Sequence, residues 1–253
     1  MKLRSALRLT SNDVVAFVGG GGKTTAMFQL AKEIVETGGQ VLTTTTTRIF
    51  AAQTRLAPVH VQALLDLRPA FEHSSHVLLT GKVDPAEGKA FGVDPSIISN
   101  LQSLISNNQL RITNILIEAD GSRMRPFKAP AEHEPVIPDC VTLVVPVVGI
   151  DVVGKPLSPE FVHRPEMVAR LYAGETVSIE MVAAVLAHPL GGRKNVPVSA
   201  KFIPLINKVE TDSGLLIAEQ IAERLLHDAG VDAVLAGAVA RVESPVTRVW
   251  DRR

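Results

Sequence analysis

The chain has a single cysteine, Cys140, so an intramolecular disulfide framework is excluded. It carries no excess charge, because 26 lysines and arginines balance 26 aspartates and glutamates, and nothing suggests that it wraps nucleic acid or lies on an anionic membrane. Long apolar runs are also missing. The longest beyond the amino-terminal region, residues 141–150, contains Pro146 and is about half of the roughly 20 residues that a membrane span needs. We therefore expect small ligands or proteins as partners, with neither nucleic acid nor membrane.

Other absent patterns argue against a zinc site, a serine-type hydrolase and a signal peptide. The spacing of cysteine and histidine residues suggests no zinc site. Neither a nucleophile elbow nor a Ser-His-Asp order is present, so hydrolysis of anything but a nucleotide lacks support. The basic amino-terminal stretch is followed by an apolar run that is too short and too late for a signal-peptide core. We expect a cytoplasmic protein.

Short runs of β-branched and aliphatic residues alternate with amphipathic segments along the chain. The runs predict strands at residues 14–18, 41–45, 77–80, 112–118, 141–148, 202–206 and 233–235. Apolar residues at helical spacing predict helices that end near Gly38-Gly39, Asn107-Asn108 and Gly230. Continuous apolar strands are typical of a parallel sheet that is buried on both faces. The prediction is an α/β fold, a mostly parallel sheet covered by helices on both faces.

Two segments break this alternation. Residues 120–139, "DGSRMRPFKAPAEHEPVIPD", contain four prolines and no period, and a second irregular stretch follows at 149–166. Ordered loops of this length in compact domains are usually functional. We predict a single domain over residues 1–253, with a long irregular insertion at about 120–166.

The stretch "VVAFVGGGGKTTAMFQLA", residues 14–31, combines a strand, four glycines and a helix that opens with Lys23-Thr24-Thr25. Glycines let backbone N–H groups face an anion, a helix N-terminus adds favourable partial charge, and a lysine reaches the terminal phosphates. The hydroxyl of Thr24 is placed to bind Mg²⁺. Because Phe17 stands where the longer phosphate-loop pattern has glycine, the loop is the shorter form seen in Mur-type ligases. The predicted nucleotide-binding residues here are Gly19, Gly20, Gly21, Gly22, Lys23, Thr24 and Thr25.

The predicted strand 112–118 ends in one carboxylate, Glu118, and a second, Asp120, lies just after it. An acidic residue at the end of a neighbouring strand holds Mg²⁺ in many nucleoside triphosphatases, which makes Asp120, followed by Gly121, the first candidate and Glu118 the second. The run "LTTTTTR" adds Thr47 as a candidate Mg²⁺ ligand and Arg48 as a candidate to contact the triphosphate charge. Threonine also favours strands for steric reasons, so a plain strand edge explains this run equally well.

The tetrapeptide Asn207-Lys208-Val209-Glu210 looks like the N-K-x-D element of GTP-binding proteins, in which the carboxylate accepts hydrogen bonds from guanine. Glu210 keeps the acceptor chemistry but displaces it by one methylene. We therefore expect GTP ahead of ATP, with Asn207, Lys208 and Glu210 at the base. A chance surface tetrapeptide is the alternative.

Charged residues of the irregular segments form a third group. We expect them to bind an anionic second substrate, such as a pterin phosphate, if the loop folds back towards the terminal phosphate. These candidates are Arg123, Arg125, Lys128, His133, Glu134, His163 and Arg164. A charged loop whose groups satisfy one another is the alternative, and "HRPE" also matches a helix start with Pro165 in its first turn.

Several of these stretches together resemble the YqeC family, whose members are named selenium-dependent hydroxylase accessory or selenium cofactor biosynthesis proteins. The matching stretches are "VGGGGKTT", "LTTTTTR", "LIEADGSRMRPFKAPAEHEPVIP", "VVGIDVVGKPL", "VHRPE" and "INKVE". The resemblance implies a P-loop NTPase-like fold and a role beside the maturation of molybdenum-containing hydroxylases, handling a selenium- or sulfur-modified cofactor. The family usually has Asp at the position of Glu210. Val18 replaces the lysine that related dimeric NTPases carry, so we predict no nucleotide-sandwich dimer.

The combined prediction is Mg²⁺-dependent binding of GTP or ATP, with hydrolysis coupled to maturation of a molybdenum hydroxylase or its cofactor. Lys23, Asp120 and Arg48 are the predicted catalytic residues. Two alternatives stay open. One is an ATP-dependent ligase or kinase that acts on a small anionic substrate, and the other is a nucleotide-gated chaperone or carrier with little turnover.

Overall fold

The computed structural model describes residues 1–107, 110–228 and 230–252. The strands are β1 (Val14–Gly19), β2 (Val41–Thr45), β3 (Ile49–Phe50), β4 (Val59–Val61), β5 (His76–Leu79), β6 (Val83–Asp84), β7 (Lys89–Ala90), β8 (Asn114–Glu118), β9 (Phe127–Lys128), β10 (Leu143–Gly149), β11 (Val162–His163), β12 (Lys201–Phe202), β13 (Leu205–Asn207), β14 (Ala233–Gly237) and β15 (Val246–Asp251). The α-helices are α1 (Leu3–Ala6), α2 (Lys23–Glu36), α3 (Leu67–His73), α4 (Pro95–Ser106), α5 (Pro165–Leu171), α6 (Ile179–Ala187) and α7 (Asp212–Leu226). Short 3₁₀ turns cover Ala51–Leu56, Leu64–Asp66 and Ile150–Val152.

A ten-stranded sheet in the order β15-β14-β13-β10-β1-β8-β2-β5-β4, with β12 also paired to β10, forms the centre of the fold. Every described pairing in this sheet is parallel except that of β14 with the edge strand β15. The strand β1 lies between β10 and β8, so the loop that follows it lies at the middle of the carboxyl edge. The predicted α/β, mostly parallel sheet is confirmed.

The sheet is covered on both faces. Along β1, Val14, Ala16 and Val18 pack in one apolar cluster and Val15 and Phe17 in the other, as expected for side chains that alternate across a strand. The first cluster also receives apolar residues of α3, α4, α6 and α7, and the second receives those of α1 and α2. Burial of each large aliphatic side chain stabilises the fold by about 1.5–3 kcal/mol.

Most predicted elements occur with shifted ends. The predicted strand at 202–206 is interrupted and forms β12 and β13, because Pro204 has no N–H for a ladder hydrogen bond. Helices α2, α4 and α7 occupy the predicted regions, although Asn108, at one predicted end, lies outside the described residues. Helix α5 begins at Pro165, as the "HRPE" pattern indicated. Helix α6 was not predicted; its N-cap Ser178 accepts a hydrogen bond from Met181 N.

The irregular stretches 120–139 and 149–166 lie on either side of β10 in the chain, and the first packs against the glycine loop, where Gly21 N donates to Arg125 O at 3.0 Å. Strand β9 of the first stretch pairs with β11 of the second in a two-stranded parallel sheet. A separate antiparallel sheet in the order β3-β7-β6 precedes it in the chain. No described helix has the length and apolar content that crossing a membrane requires. The division of residues 1–253 into domains stays a prediction.

Candidate functional site

Four glycines, the last residue of β1 and the three that follow it, lead into α2, and close packing explains why larger residues do not fit. Gly21 and Gly22 have φ of +80° and +129°. A Cβ on Gly21 would lie 2.3 Å from Gly149 N, and one on Gly20 would lie 2.5 Å from Arg125 O. The loop therefore needs glycine both for its left-handed backbone and for its contact with the irregular segment. The backbone N–H groups in the first turn of α2 have no intrahelical partners, which makes this helix start suitable for an anion.

Lys23, the first residue of α2, folds back over the loop. Its side chain is only 3% exposed, and Nζ donates a hydrogen bond to Gly19 O at 2.7 Å. The same ammonium lies 3.2 Å from Asp120 Oδ1 and 3.9 Å from Glu118 Oε1. The structure thus brings Lys23, Glu118 and Asp120 together, as the sequence predicted for adjacent parallel strands.

Thr24 and Glu118 form the next pair. The Thr24 hydroxyl donates to Glu118 Oε2 at 2.7 Å and accepts from Gln53 Nε2 at 3.1 Å. Burial raises the pKa of Glu118, while the Lys23 charge and the Thr24 hydrogen bond oppose that rise. Gln53 belongs to a 3₁₀ turn that carries no recognisable motif, so sequence reasoning missed it.

Asp120 is buried beneath the loop. Its Oδ2 accepts from Gly19 N at 2.9 Å and lies 3.1 Å from Lys128 Nζ. Its Oδ1 accepts no hydrogen bond of good geometry, although Lys23 Nζ lies close to it. This buried carboxylate oxygen therefore has Lys23 as its close cation and no hydrogen-bond donor among the described residues.

These oxygen groups fit Mg²⁺. Magnesium is usually held by one or two carboxylates together with substrate phosphates, so it needs no cage made of protein alone. Thr24, Glu118 and Asp120 supply a hydroxyl and two carboxylates beside the loop. Accordingly, the described residues contain no group of three or more His, Cys, Asp or Glu residues that could hold a metal by themselves. Neither Thr47, the other predicted ligand, nor Asp120, which is buried beneath the loop, lines the cleft described next.

A cleft of about 970 Å³ opens over the loop. Predicted site residues that line it are Gly21, Gly22, Lys23, Thr24, Thr25, Arg48, Glu118, Arg123, Asn207, Lys208 and Glu210. Residues that the sequence did not single out, Ile49, Phe50, Ala52, Gln53, Lys89, Met124 and Ala238–Ala240 among them, complete the lining. The Arg48 guanidinium lies 4.6 Å from the Phe91 ring centroid and 3.4 Å from Glu87 Oε2.

The tetrapeptide after β13 reaches the loop from the other side. Buried Asn207 donates from Nδ2 to Gly21 O at 2.7 Å, and its Oδ1 accepts from Val239 N at 3.0 Å. Lys208 has a left-handed backbone and its Nζ lies 2.6 Å from Asp151 Oδ2. The Glu210 side chain is exposed at the cleft. Asn207 therefore joins the glycine loop to the end of β14, a role that sequence reasoning did not foresee.

Of the seven residues predicted to face a second substrate, only Arg123 lines the cleft. Lys128 Nζ donates to Gly121 O and to Glu134 Oε2, both at 2.7 Å, and Arg164 donates to the same carboxylate at 2.6 Å. Burial acts to raise the pKa of Glu134, but the hydrogen bonds and charges of Arg164 and Lys128 lower it to about 2. These three residues satisfy one another, as the alternative interpretation of the loop stated.

The other three residues of that group lie elsewhere. Arg125 Nε donates to Pro159 O at 2.8 Å, His133 is exposed to solvent, and His163 is half-buried in β11. Burial, followed by the charges of Arg164 and Lys128, lowers the pKa of His163 to about 4.

Solved structures to which this chain is similar include the cell division protein FtsY of Thermotoga maritima, with a TM-score of 0.47 at 15% identity over 95% of this chain and 65% of that chain. The signal recognition particle receptor FtsY of Elizabethkingia anophelis has a TM-score of 0.44 at 14% identity, over 94% of this chain and 63% of that chain. This chain spans less than two thirds of both FtsY chains.

Sequence comparison is more specific. The YqeC protein of Escherichia coli (strain K12) is 33% identical over 235 residues, which are 88% of this chain and 86% of that protein. The family model described as YqeC protein matches residues 15–166, from β1 through the irregular segment. The chain therefore belongs to the YqeC family.

Proposed function

We propose that this protein binds a nucleoside triphosphate with Mg²⁺, GTP in preference to ATP, and hydrolyses it slowly. One observation carries the proposal: a single cleft contains both the glycine loop with Lys23 and the tetrapeptide that ends in Glu210. The loop suits the phosphates and the tetrapeptide suits the base, so one extended nucleotide would contact both.

The charged groups have separate roles in this proposal. Lys23 would exchange its contacts with Gly19 O and Asp120 for the terminal phosphates, where an ammonium offsets the negative charge. Thr24, Glu118 and Asp120 would hold Mg²⁺, which supplies further positive charge to the phosphates when bound. Arg48, already on the cleft wall, is the secondary candidate for contact with the triphosphate.

Base selection would fall to Glu210. Its carboxylate lies exposed at the cleft and can accept hydrogen bonds from the guanine N–H groups, which adenine does not offer in the same pattern. Asn207 has already committed its oxygen and one N–H to the protein, so only its second N–H is free for a base.

The biological role proposed for this turnover is the maturation of a molybdenum hydroxylase or of its selenium- or sulfur-modified cofactor. Membership of the YqeC family supports it, since the matched region includes the loop, the acidic strand end and most of the irregular segment. Turnover and partner binding can be measured separately, so this role is testable without assuming that the nucleotide assignment holds.

Titration with fluorescent GTP and ATP analogues, with Mg²⁺ and with a chelator, tests the nucleotide assignment. Loss of a charge-assisted contact costs about 1.5–3 kcal/mol, so Lys23→Ala should weaken triphosphate binding roughly 10- to 150-fold. Lys32→Ala is the matched control, because Lys32 lies on the same helix and its one ion pair among the described residues is with Glu36 at 3.8 Å. Equal affinities of the wild type and Lys23→Ala, with both proteins folded, would refute the phosphate assignment.

Phosphate release assays then separate the activities. Slow release of phosphate from GTP by the protein alone supports hydrolysis. A phosphorylated small molecule found with ATP would instead indicate a kinase or ligase, the alternative that the short glycine loop suggested. Nucleotide-dependent capture of an apo-hydroxylase without turnover would indicate a gated chaperone.

A further inference from the structure

Beyond the glycine loop the cleft has two walls, and hydrogen bonds fasten each of them to that loop. We call them the turn wall (residues 122–125) and the sheet wall (residues 49–53 with Lys89). In the turn wall, Arg125 O accepts from Gly21 N at 3.0 Å. In the sheet wall, Gln53 Nε2 donates to Thr24 Oγ1 at 3.1 Å. Both walls therefore begin at the phosphate end of the cleft, and the space between them adjoins the place proposed for the terminal phosphate.

The turn wall holds an unfavourable backbone. Arg123 and Met124 are consecutive and have φ of +48° and +61°, a region that side-chain-bearing residues rarely adopt. Such conformations persist where the surroundings fix them, and they concentrate at functional sites. Met124 is 80% exposed, and the Arg123 guanidinium has neither a hydrogen bond nor an ion pair within the described part of the chain. The strained turn therefore presents a cation and an apolar side chain at the cleft.

The sheet wall offers the same combination. Phe50 is 45% exposed, and Lys89 Nζ lies 3.4 Å from the centroid of its ring. Lys89 has no carboxylate partner among residues 1–107, 110–228 and 230–252, whereas Arg48, next to this wall in the chain, already contacts Glu87 and Phe91. A cation over an aromatic face that also lines a cleft is a group that can still bind an anion.

We propose that the space between the two walls is a second binding site, and that its ligand is a small organic anion with a flat ring. Arg123 and Lys89 would bind the anionic group, and the Phe50 ring and the Met124 thioether would contact the flat ring of the ligand. This inference deepens the proposed function, on which it rests for the neighbouring nucleotide. Nucleotide alone does not explain the walls, because its phosphates face the loop and its base faces residues 207–210.

Calorimetric titration of the full chain tests the site, with phenyl phosphate as the probe and inorganic phosphate as the ringless comparison. The protein is first saturated with Mg²⁺ and a non-hydrolysable GTP analogue. We expect phenyl phosphate to bind this loaded protein more tightly than inorganic phosphate does. Arg123→Gln should weaken phenyl phosphate about tenfold, as loss of one charge-assisted hydrogen bond does. Arg170→Gln, an exposed change on α5, is the control and should have no effect.

Phe50→Ala provides the second readout. It should weaken binding of phenyl phosphate more than that of inorganic phosphate, because loss of the Lys89–ring contact affects both anions and loss of the ring contact affects phenyl phosphate alone. The proposal is overturned if phenyl phosphate fails to bind at millimolar concentration, if it binds only by competing with the nucleotide, or if Arg123→Gln has no effect. Failure of the nucleotide itself to bind is a different result: it refutes the proposed function, while Arg123-dependent binding of phenyl phosphate would still support this second site.

Discussion

Replacing Asn207 with alanine should loosen the glycine loop rather than change base selection. Its side chain is 4% exposed and bridges two backbone groups, Gly21 O at 2.7 Å and Val239 N at 3.0 Å. The variant leaves both groups buried without a partner, and each such group costs about 1–3 kcal/mol. We therefore expect Asn207→Ala to lower the free energy of unfolding by about 2–5 kcal/mol.

The same change should weaken GTP and ATP equally. The bridged carbonyl belongs to the loop that faces the phosphates, which the two nucleotides share, so the loss of loop geometry has no preference for a base. If binding must order the loop again at a cost of about 1.4 kcal/mol, the affinities for GTP and for ATP both fall roughly tenfold. Glu210→Ala is the informative comparison. The exposed Glu210 carboxylate makes no hydrogen bond or ion pair in the described part of the chain, so the variant should weaken GTP, leave ATP unchanged and leave the fold intact.

Urea unfolding measures the stability change, and titration with the two fluorescent nucleotides measures the affinities. A variant of normal stability that loses GTP binding but keeps ATP binding would show that Asn207 reads the base. That result would contradict the structural role argued from the two hydrogen bonds.

Two stability predictions concern buried charge and pH. Glu134→Gln leaves Lys128 and Arg164 without their shared counter-charge, and should lower the free energy of unfolding by about 3 kcal/mol near neutral pH. The pKa of Glu134 is about 2 in the folded protein, below its value in the unfolded chain. The difference in unfolding free energy between wild type and variant should therefore shrink as pH falls from about 4.5 towards 2. A difference in urea unfolding that stays constant over this range would contradict the prediction. Burial lowers the pKa of His76 to about 4 in the folded protein, below its ordinary value of 6.5. As pH falls from 6.5 to 4, His76 is protonated more readily in the unfolded chain, so the folded protein loses stability. His76→Gln should reduce the acid loss of stability in that range by up to about 3 kcal/mol, and identical pH profiles of the two proteins would exclude His76 as its source.

The sequence was most informative where one physical requirement sets a whole segment. The strand β1 is apolar at every position from Val14 to Val18 because both faces of a central parallel strand are covered, and the predicted strand differs from it only at its last residue. The glycine loop was equally clear, since few structures other than a phosphate loop require four glycines between a strand and a helix that opens with lysine. Glu118 and Asp120 followed from the rule that adjacent parallel strands end at the same edge.

Other parts of the cleft had no such local signal. Phe50, Gln53 and Lys89 reach the cleft through the small sheet β3-β7-β6 and the 3₁₀ turn after it, elements of two to six residues that periodicity does not reveal. The edge strand β15 was missed because its mostly exposed residues match no buried run. Asn207 was placed at the base because its tetrapeptide resembles a known element, and a tetrapeptide contains no information about which backbone atoms its amide meets.

The charged loop shows why neighbouring cations of one segment have different roles. Asp120 presents one oxygen to Lys23 and the other to Lys128, so the two ammonium groups flank one buried carboxylate. A buried carboxylate that lost its only cation would be strongly destabilised. If Lys23 moves to a phosphate, Lys128 still neutralises Asp120, and it can stay in place because Glu134 and Gly121 O hold its other protons. These contacts make Lys128 unavailable to a ligand, and because Lys128 neutralises Asp120, they also leave Lys23 free to move. Only the three-dimensional arrangement distinguishes Lys128 from Arg123, five residues earlier.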